Sequence, residues 1–218
     1  MRWVVAFATI ATVLLFAACS QPDTAGRAPA SSPAAQAPSS AGPEDNRVVG
    51  TLVSPVPSSL VVIVLSSKEP REWPAPTEKP VMDQVSLTFT PDLLLVRTGQ
   101  PVEFRNSDDT LHNINVRSDD THEQAFNVAI PTGEVYGYTF KRDGFYHVGC
   151  DIHPGMSAEI VSASTPFVTS PDENGRFAFD AVPPGSYVIA AYVGGKSAQR
   201  DLEVKPGVTS VTLGAPAE

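Results

Sequence analysis

Cys150, His153 and Met156 fall within seven residues of one another, in the run Gly144-Phe145-Tyr146-His147-Val148-Gly149-Cys150-Asp151-Ile152-His153-Pro154-Gly155-Met156. Tyr146, Val148 and Cys150 alternate, so on a strand they share one face, and the thiol points inward with the two apolar side chains. Pro154 and Gly155 force a turn just beyond. A thiolate, an imidazole and a thioether can therefore converge on one point. A fourth donor is available upstream in Leu111-His112-Asn113, which follows the strand-like Val102-Glu103-Phe104-Arg105-Asn106 and an acidic turn. Soft sulfur donors stabilise Cu(I) while imidazoles accept Cu(II), so this set suits an ion that changes oxidation state by one electron. A structural zinc site, or a buried core cysteine with unrelated histidines, is the alternative. Zinc has no need of the methionine, and the upstream His-Asn pair adds to the weight for copper.

The cysteine count sharpens the point. The chain has two cysteines, Cys19 and Cys150. Residues 1–18 carry Arg2, an apolar run from Trp3 through Phe16 and the small pair Ala17-Ala18, the pattern of an export signal. The stretch Leu15-Phe16-Ala17-Ala18-Cys19 resembles a bacterial lipobox, which implies cleavage before Cys19 and acylation of its thiol. Phe16 departs from the residue usual at that place. Residues 19–45 are mostly Ala, Pro, Ser, Gly and Gln and offer no periodic apolar face, so they are expected to form a flexible tether. Cys150 is then a lone thiol in an oxidising compartment, where a bound metal would protect it.

The elements needed to hold those donors are legible as short strands. Twenty-one prolines and 15 glycines against 8% aromatics suit strands and turns better than long helices, and an all-β fold is expected. From Val81 to about Ser162 the chain resembles the cupredoxins, the blue-copper family of plastocyanin and amicyanin. The resemblance rests on the ligand pattern, on the paired strands and glycine turn of Phe89 to Asn106, and on Tyr138-Thr139-Phe140 with Gly144-Phe145-Tyr146 as a closing hairpin. It implies a Greek-key β-sandwich over residues 81–163 and one type 1 copper ion. His112, Cys150 and His153 would be its equatorial ligands and Met156 its weak axial one. Asn113 would tie the two ligand loops together. The Cys-x-x-His-x-x-Met spacing is similar to that of amicyanin. His122 and His147 are expected to face solvent, and Asp108, Asp109, Asp119 and Asp120 to be solvated loop charges.

Residues 164–218 contain Asp172-Glu173-Asn174-Gly175-Arg176-Phe177-Ala178-Phe179 and Pro183-Pro184-Gly185-Ser186-Tyr187. They resemble the carboxypeptidase regulatory-like domain, a second small β-sandwich with no active site of its own. Its opening strands are absent directly before Phe167. Val48-Val49-Gly50-Thr51-Leu52 and Leu60-Val61-Val62-Ile63-Val64-Leu65 look like them, so residues 46–80 are expected to supply the front strands and the copper domain to be inserted between; two consecutive units, with the front strands in the cupredoxin sheet, are the alternative. Gly194-Gly195-Lys196-Ser197 reads as a hairpin turn, since Ala190 stands where a phosphate loop needs glycine.

A net charge of −9 with no cationic cluster argues against nucleic acid as a partner. No nucleophile triad, paired-carboxylate motif or nucleotide fingerprint is evident, so the chain is not expected to be an enzyme. The expectation is a lipid-anchored electron carrier of the cell envelope, on the periplasmic or other extracytoplasmic face of a membrane. It would exchange electrons transiently with a cytochrome or dehydrogenase. The competing expectations are a copper-storing or copper-delivering protein and a scaffolding or adhesive lipoprotein. Release of metal to a chelator marks the first of these, and absence of metal the second.

Overall fold

The structure is a computed structural model, and it describes residues 46–53, 61–193, 196–214 and 216. The predicted signal, the acylated Cys19, the tether and the Gly194-Gly195 turn lie outside the described residues. Among the described residues every regular element is a strand. In chain order these are β1 (Arg47–Val53) and β2 (Val61–Ser67); β3 (Val81–Val85), β4 (Thr88–Thr90), β5 (Leu93–Arg97), β6 (Pro101–Asn106), β7 (His112–Ser118), β8 (Gln124–Ile130), β9 (Val135–Thr139), β10 (Gly144–Gly149) and β11 (Ser157–Ala163); then β12 (Val168–Thr169), β13 (Arg176–Asp180), β14 (Gly185–Val193), β15 (Lys196–Val204) and β16 (Val208–Gly214).

Strands β3 to β11 form two facing sheets, one in the order β5-β11-β10-β7-β8 and the other β4-β3-β6-β9. Each sheet holds one parallel pair, β3 with β6 in the four-stranded sheet and β5 with β11 in the five-stranded one, and the chain crosses between the sheets from β4 to β5 and from β5 to β6. Alternation of apolar residues explains the closure. Val102 and Phe104 on β6, Ile114 and Val116 on β7, and Tyr146 and Val148 on β10 all point into one core with Met82, Phe140 and Ile160. Each such side chain contributes roughly 1.5–3 kcal/mol on burial. The glycine turn expected between the paired strands is Gly99, at φ 86° between β5 and β6. Strand β7 departs from simple alternation, because His112, Asn113, Ile114, Asn115 and Val116 are all buried. Its outward-facing asparagines are covered by the loop that follows β10.

The remaining strands form a second β-sandwich, with sheets β13-β1-β16 and β12-β2-β14-β15. Strand β1 pairs antiparallel with β13, Val48 opposite Phe179, and parallel with β16, Val48 opposite Thr209. Strand β2 lies between β12 and β14. The two sheets enclose a separate core that includes Val48, Leu52, Ile63, Leu65, Phe177, Phe179, Tyr187 and Ile189. Its motifs have local causes. Asp172 closes the turn before β13 by accepting the N–H groups of Asn174 and Arg176 on Oδ1, at 2.9 and 2.7 Å. Gly175 sits at φ 73°, and a Cβ there would lie 2.4 Å from the carbonyl oxygen of Leu52. Tyr187 is fully buried and donates its hydroxyl to the Pro183 carbonyl at 2.8 Å. Val193 and Lys196, which flank the expected glycine turn, pair across β14 and β15.

Strand β11 runs between the two sandwiches. Ser157 pairs with Gly149, next to Cys150, while Ala163 at the far end accepts the Thr98 N–H and leads into the second sandwich. There Thr165 donates its hydroxyl to the Leu65 carbonyl at 2.8 Å, and the Phe145 and Tyr192 rings pack at a 42° tilt with centroids 4.9 Å apart. Six strand steps of about 3.3 Å put roughly 20 Å between this junction and the Cys150 end.

Candidate metal centre

Strand β7 begins with His112, strand β10 ends one residue before Cys150, and the turn after it carries His153. The antiparallel register of β7 and β10 brings the first two together, with Gly149 opposite Asn115. Cys150 Sγ lies 3.8 Å from His112 Nδ1 and 3.7 Å from His153 Nδ1, and the two ring nitrogens are 2.9 Å apart. All three donor atoms lie within 4.8 Å of one another. His112 and Cys150 are buried and His153 is half-buried, its edge toward solvent. Met156, 2% exposed, shares the core cluster of Cys150, and its backbone N–H closes the turn onto the His153 carbonyl at 3.0 Å.

The tautomer of His112 follows from its partner. Nε2 lies 2.9 Å from Asp108 Oδ2 and donates to it, which leaves Nδ1 with its lone pair aimed at Cys150. A carboxylate behind a ligand imidazole fixes the ring and raises its basicity. Asp108 is no solvated loop charge: its side chain is 13% exposed, and it also accepts the backbone N–H groups of Ser86 and Leu87. The Leu87 N–H, with the His112 ring and the Ser86 N–H, holds its carboxyl below the usual carboxylate range against the opposing effect of burial. Ser86 and Leu87 form the β3–β4 turn with φ of 55° and 59°, a left-handed conformation unusual for residues with side chains.

Asn113 is buried beside the thiol. Its Oδ1 lies 3.3 Å from Cys150 Sγ and accepts the N–H groups of Asp151 at 2.7 Å and Ile152 at 3.3 Å. Its Nδ2 donates to Asp151 Oδ2 and Asn127 Oδ1. Side-chain amides of Asn115 and Asn127 also reach the Asp151 carboxylate, at 2.9 and 2.8 Å. The Asn115 and Asn127 amides first, then Asn113 and the charge of Arg117, hold that carboxyl below its ordinary range despite some desolvation. Asp108, Asp151, Asn115 and Asn127 carry no motif. The one sequence signal was asparagine at alternate positions of a strand, where it is normally depleted.

Of the predicted residues, the fold brings His112, Cys150 and His153 together and buries Met156 and Asn113 with them; Cys19 lies outside the described residues. His147 is exposed on β10 and bonds Glu159 at 3.0 Å, and His122 is exposed in the loop after β7. The donor set fits a copper ion. One thiol sulfur and two imidazole nitrogens lie within 4.8 Å of one another, on two buried residues and one half-buried one, with one imidazole already held in the ligating tautomer.

Residues 77–162 match the family of copper binding proteins described as plastocyanin/azurin, and all four predicted donors fall within them. The segment has the cupredoxin fold, and the family match with the His112-Cys150-His153 group indicates copper as its cofactor. Among solved structures, the chain is similar to an oxidised point mutant of amicyanin, with 21% identity over 44% of this chain and 89% of that one and a TM-score of 0.36. It is equally similar to a purple cupredoxin from Nitrosopumilus maritimus, with 21% identity over 39% of this chain and 100% of that one and a TM-score of 0.36. A copper-containing nitrite reductase from Thermus scotoductus is 26% identical over 52% of this chain, which spans 28% of that enzyme, with a TM-score of 0.37. No curated protein matches the chain at a significant level.

Proposed function

We propose that this chain is an exported, lipid-anchored type 1 copper protein that carries single electrons between redox partners in a cell envelope, and that it is not an enzyme. The observation that carries the reading is the convergence of the His112, Cys150 and His153 donor atoms within 4.8 Å. Met156, buried in the same core, would supply a thioether sulfur as a further donor.

When bound, copper supplies the reversible one-electron chemistry. The protein supplies geometry. Asp108 orients His112, Asn113 fixes the loop between Cys150 and His153, and the two sheets exclude water from the thiolate. Ligands that do not rearrange when the charge changes keep the barrier to electron exchange low, which is the advantage of a preorganised site. His153 is half-buried, and Leu111 and Ile152 beside the ligand positions are 48% and 47% exposed. An apolar rim around a solvent-edge imidazole gives a cytochrome or dehydrogenase a small, quickly released contact. The second sandwich, of the carboxypeptidase regulatory-like kind, joins the copper domain at the opposite end and serves as its mount. Acylation at Cys19 would hold the assembly to the extracytoplasmic face of a membrane.

The test is to load the metal-free protein with cupric salt, record its visible and paramagnetic-resonance spectra, and measure voltammetry. An intense thiolate-to-copper absorption with a reversible one-electron wave, and slow metal loss to a chelator, is the expected result. Loss of copper to the chelator within seconds would favour delivery over electron transfer, and a colourless product would end the reading. Mass spectrometry of the membrane fraction checks acylation of Cys19.

A further inference from the structure

We infer that Asp151 is a positioning residue of the copper centre: its carboxylate pins the two-residue bridge between Cys150 and His153 to strands β7 and β8, so that the ligand loop is set before any metal arrives. The inference rests on the copper reading above and deepens it.

The bridge is Asp151-Ile152, which contains no proline; the first restricted residue, Pro154, comes after the histidine. Nothing in its covalent structure stiffens it, so its order must come from contacts. Five hydrogen bonds supply them. Asn113 Nδ2, Asn115 Nδ2 and Asn127 Nδ2 donate to the carboxylate at 2.9, 2.9 and 2.8 Å. In return Asn113 Oδ1 accepts the Asp151 and Ile152 N–H groups. The register makes this cup possible: Asn113 and Asn115 occupy the same outward face of β7, and Asn115 lies directly opposite Asn127 on β8.

The orientation of the amides is fixed by the network. Asn113 Oδ1 is taken by two backbone donors and Asn127 Oδ1 by Asn113 Nδ2, so both nitrogens must face the carboxylate. Asn115 Oδ1 has no partner, and turning that amide over would set an oxygen against the carboxylate. Three donors aimed at one side chain are satisfied by an anion and by no neutral residue of the same size. His112, next to Asn113 in β7, and His153, two residues beyond Asp151, are thereby held to one frame.

The experiment compares wild type, Asp151→Asn and Asn127→Ala, the last at an exposed rim position expected to fold in any case. In the metal-free protein, amide hydrogen exchange at Ile152 and His153 should speed up by about tenfold in Asp151→Asn, because the charge-assisted hydrogen bonds from the three amides are lost. A smaller rise is expected in Asn127→Ala. In the copper-loaded protein, Asp151→Asn should change the ratio of the visible absorption bands and speed metal loss to a chelator by a similar factor. Exchange and spectra indistinguishable from wild type would overturn the inference. If wild-type protein takes up no copper, the copper reading fails, while faster exchange in the metal-free variants would still identify Asp151 as the pin of the loop.

Discussion

Replacing Gly50 with alanine tests whether β1 belongs to the sandwich in which the structure places it. Gly50 is the Cα partner of Phe177 across β1 and β13, and the aromatic ring lies over the glycine. A Cβ on residue 50 would sit 2.0 Å from Phe177 Cζ and 2.5 and 2.6 Å from the two Cε atoms. Carbon atoms in contact keep about 3.5–4.0 Å, so the ring must retreat by roughly 1.5 Å. It has two ways to do so. Forced into the core it shares with Phe179, it incurs an overpacking cost of about 1–3 kcal/mol. Expelled, it forfeits about 1.5–3 kcal/mol of burial. The two routes together predict a loss of about 1–3 kcal/mol, a fall of some five- to 150-fold in the folded ratio. The assay is urea unfolding followed by Trp73 fluorescence, since Trp73 packs edge-on against Phe167 at 5.1 Å in that sandwich. Removing the collision with Phe177→Leu in the same chain should restore at least half of the loss, a coupling that only contacting residues display. The copper chromophore should persist, because the two cores share no side chain. A Gly50→Ala protein within about 0.5 kcal/mol of wild type, or a double variant whose losses simply add, would refute the placement of β1 against β13.

Four further outcomes are expected. Cys150→Ser should abolish the intense visible absorption while the β-sheet circular dichroism stays, since the introduced hydroxyl would still have Asn113 Oδ1 as a partner; a coloured variant contradicts the thiolate assignment. Met156→Leu keeps the buried volume and removes the sulfur donor, so the midpoint potential should rise in voltammetry; an unchanged midpoint removes Met156 from the coordination sphere. Asn113→Ala deletes four hydrogen bonds around the ligand loop and should destabilise the metal-free copper domain by about 2 kcal/mol, read from near-ultraviolet dichroism of its tyrosines; a change below the error of the urea midpoint argues against the tie. Finally, Asp108 and Asp151 have depressed folded values, so their contribution to stability is complete above the ordinary carboxylate range near pH 4 and is lost as pH falls through the lower folded values. Carbon-detected titration of the metal-free protein should find both below that range and Glu159, raised by burial, above its own; Asp151 titrating normally would contradict the three-amide cup.

Much of the centre was legible in the chain. The thiol, imidazole and thioether are close in sequence, and strand alternation at Tyr146, Val148 and Cys150 sets the direction of the sulfur, because successive side chains on a strand point to opposite faces. The turn chemistry of Asp172 to Arg176 and of Pro183 to Tyr187 was equally local, which is why the strands around it could be placed. Asp108 was misjudged as a solvated charge for the same reason: no local pattern distinguishes a loop aspartate facing water from one facing a buried imidazole.

What the residues decided alone was therefore the chemical type of the centre and the all-β character of the chain, both of which depend on side-chain identity and on a period of two. Tertiary structure decided which distant groups share a site. His112 meets Cys150 only through the register of β7 against β10, three asparagines become a carboxylate cup only when β8 lies beside β7, and β1 enters the sheet of β13 and β16 across more than a hundred residues. Pairing over such separations is selected by the packing of whole sheets against each other, and no short window of sequence carries that energy.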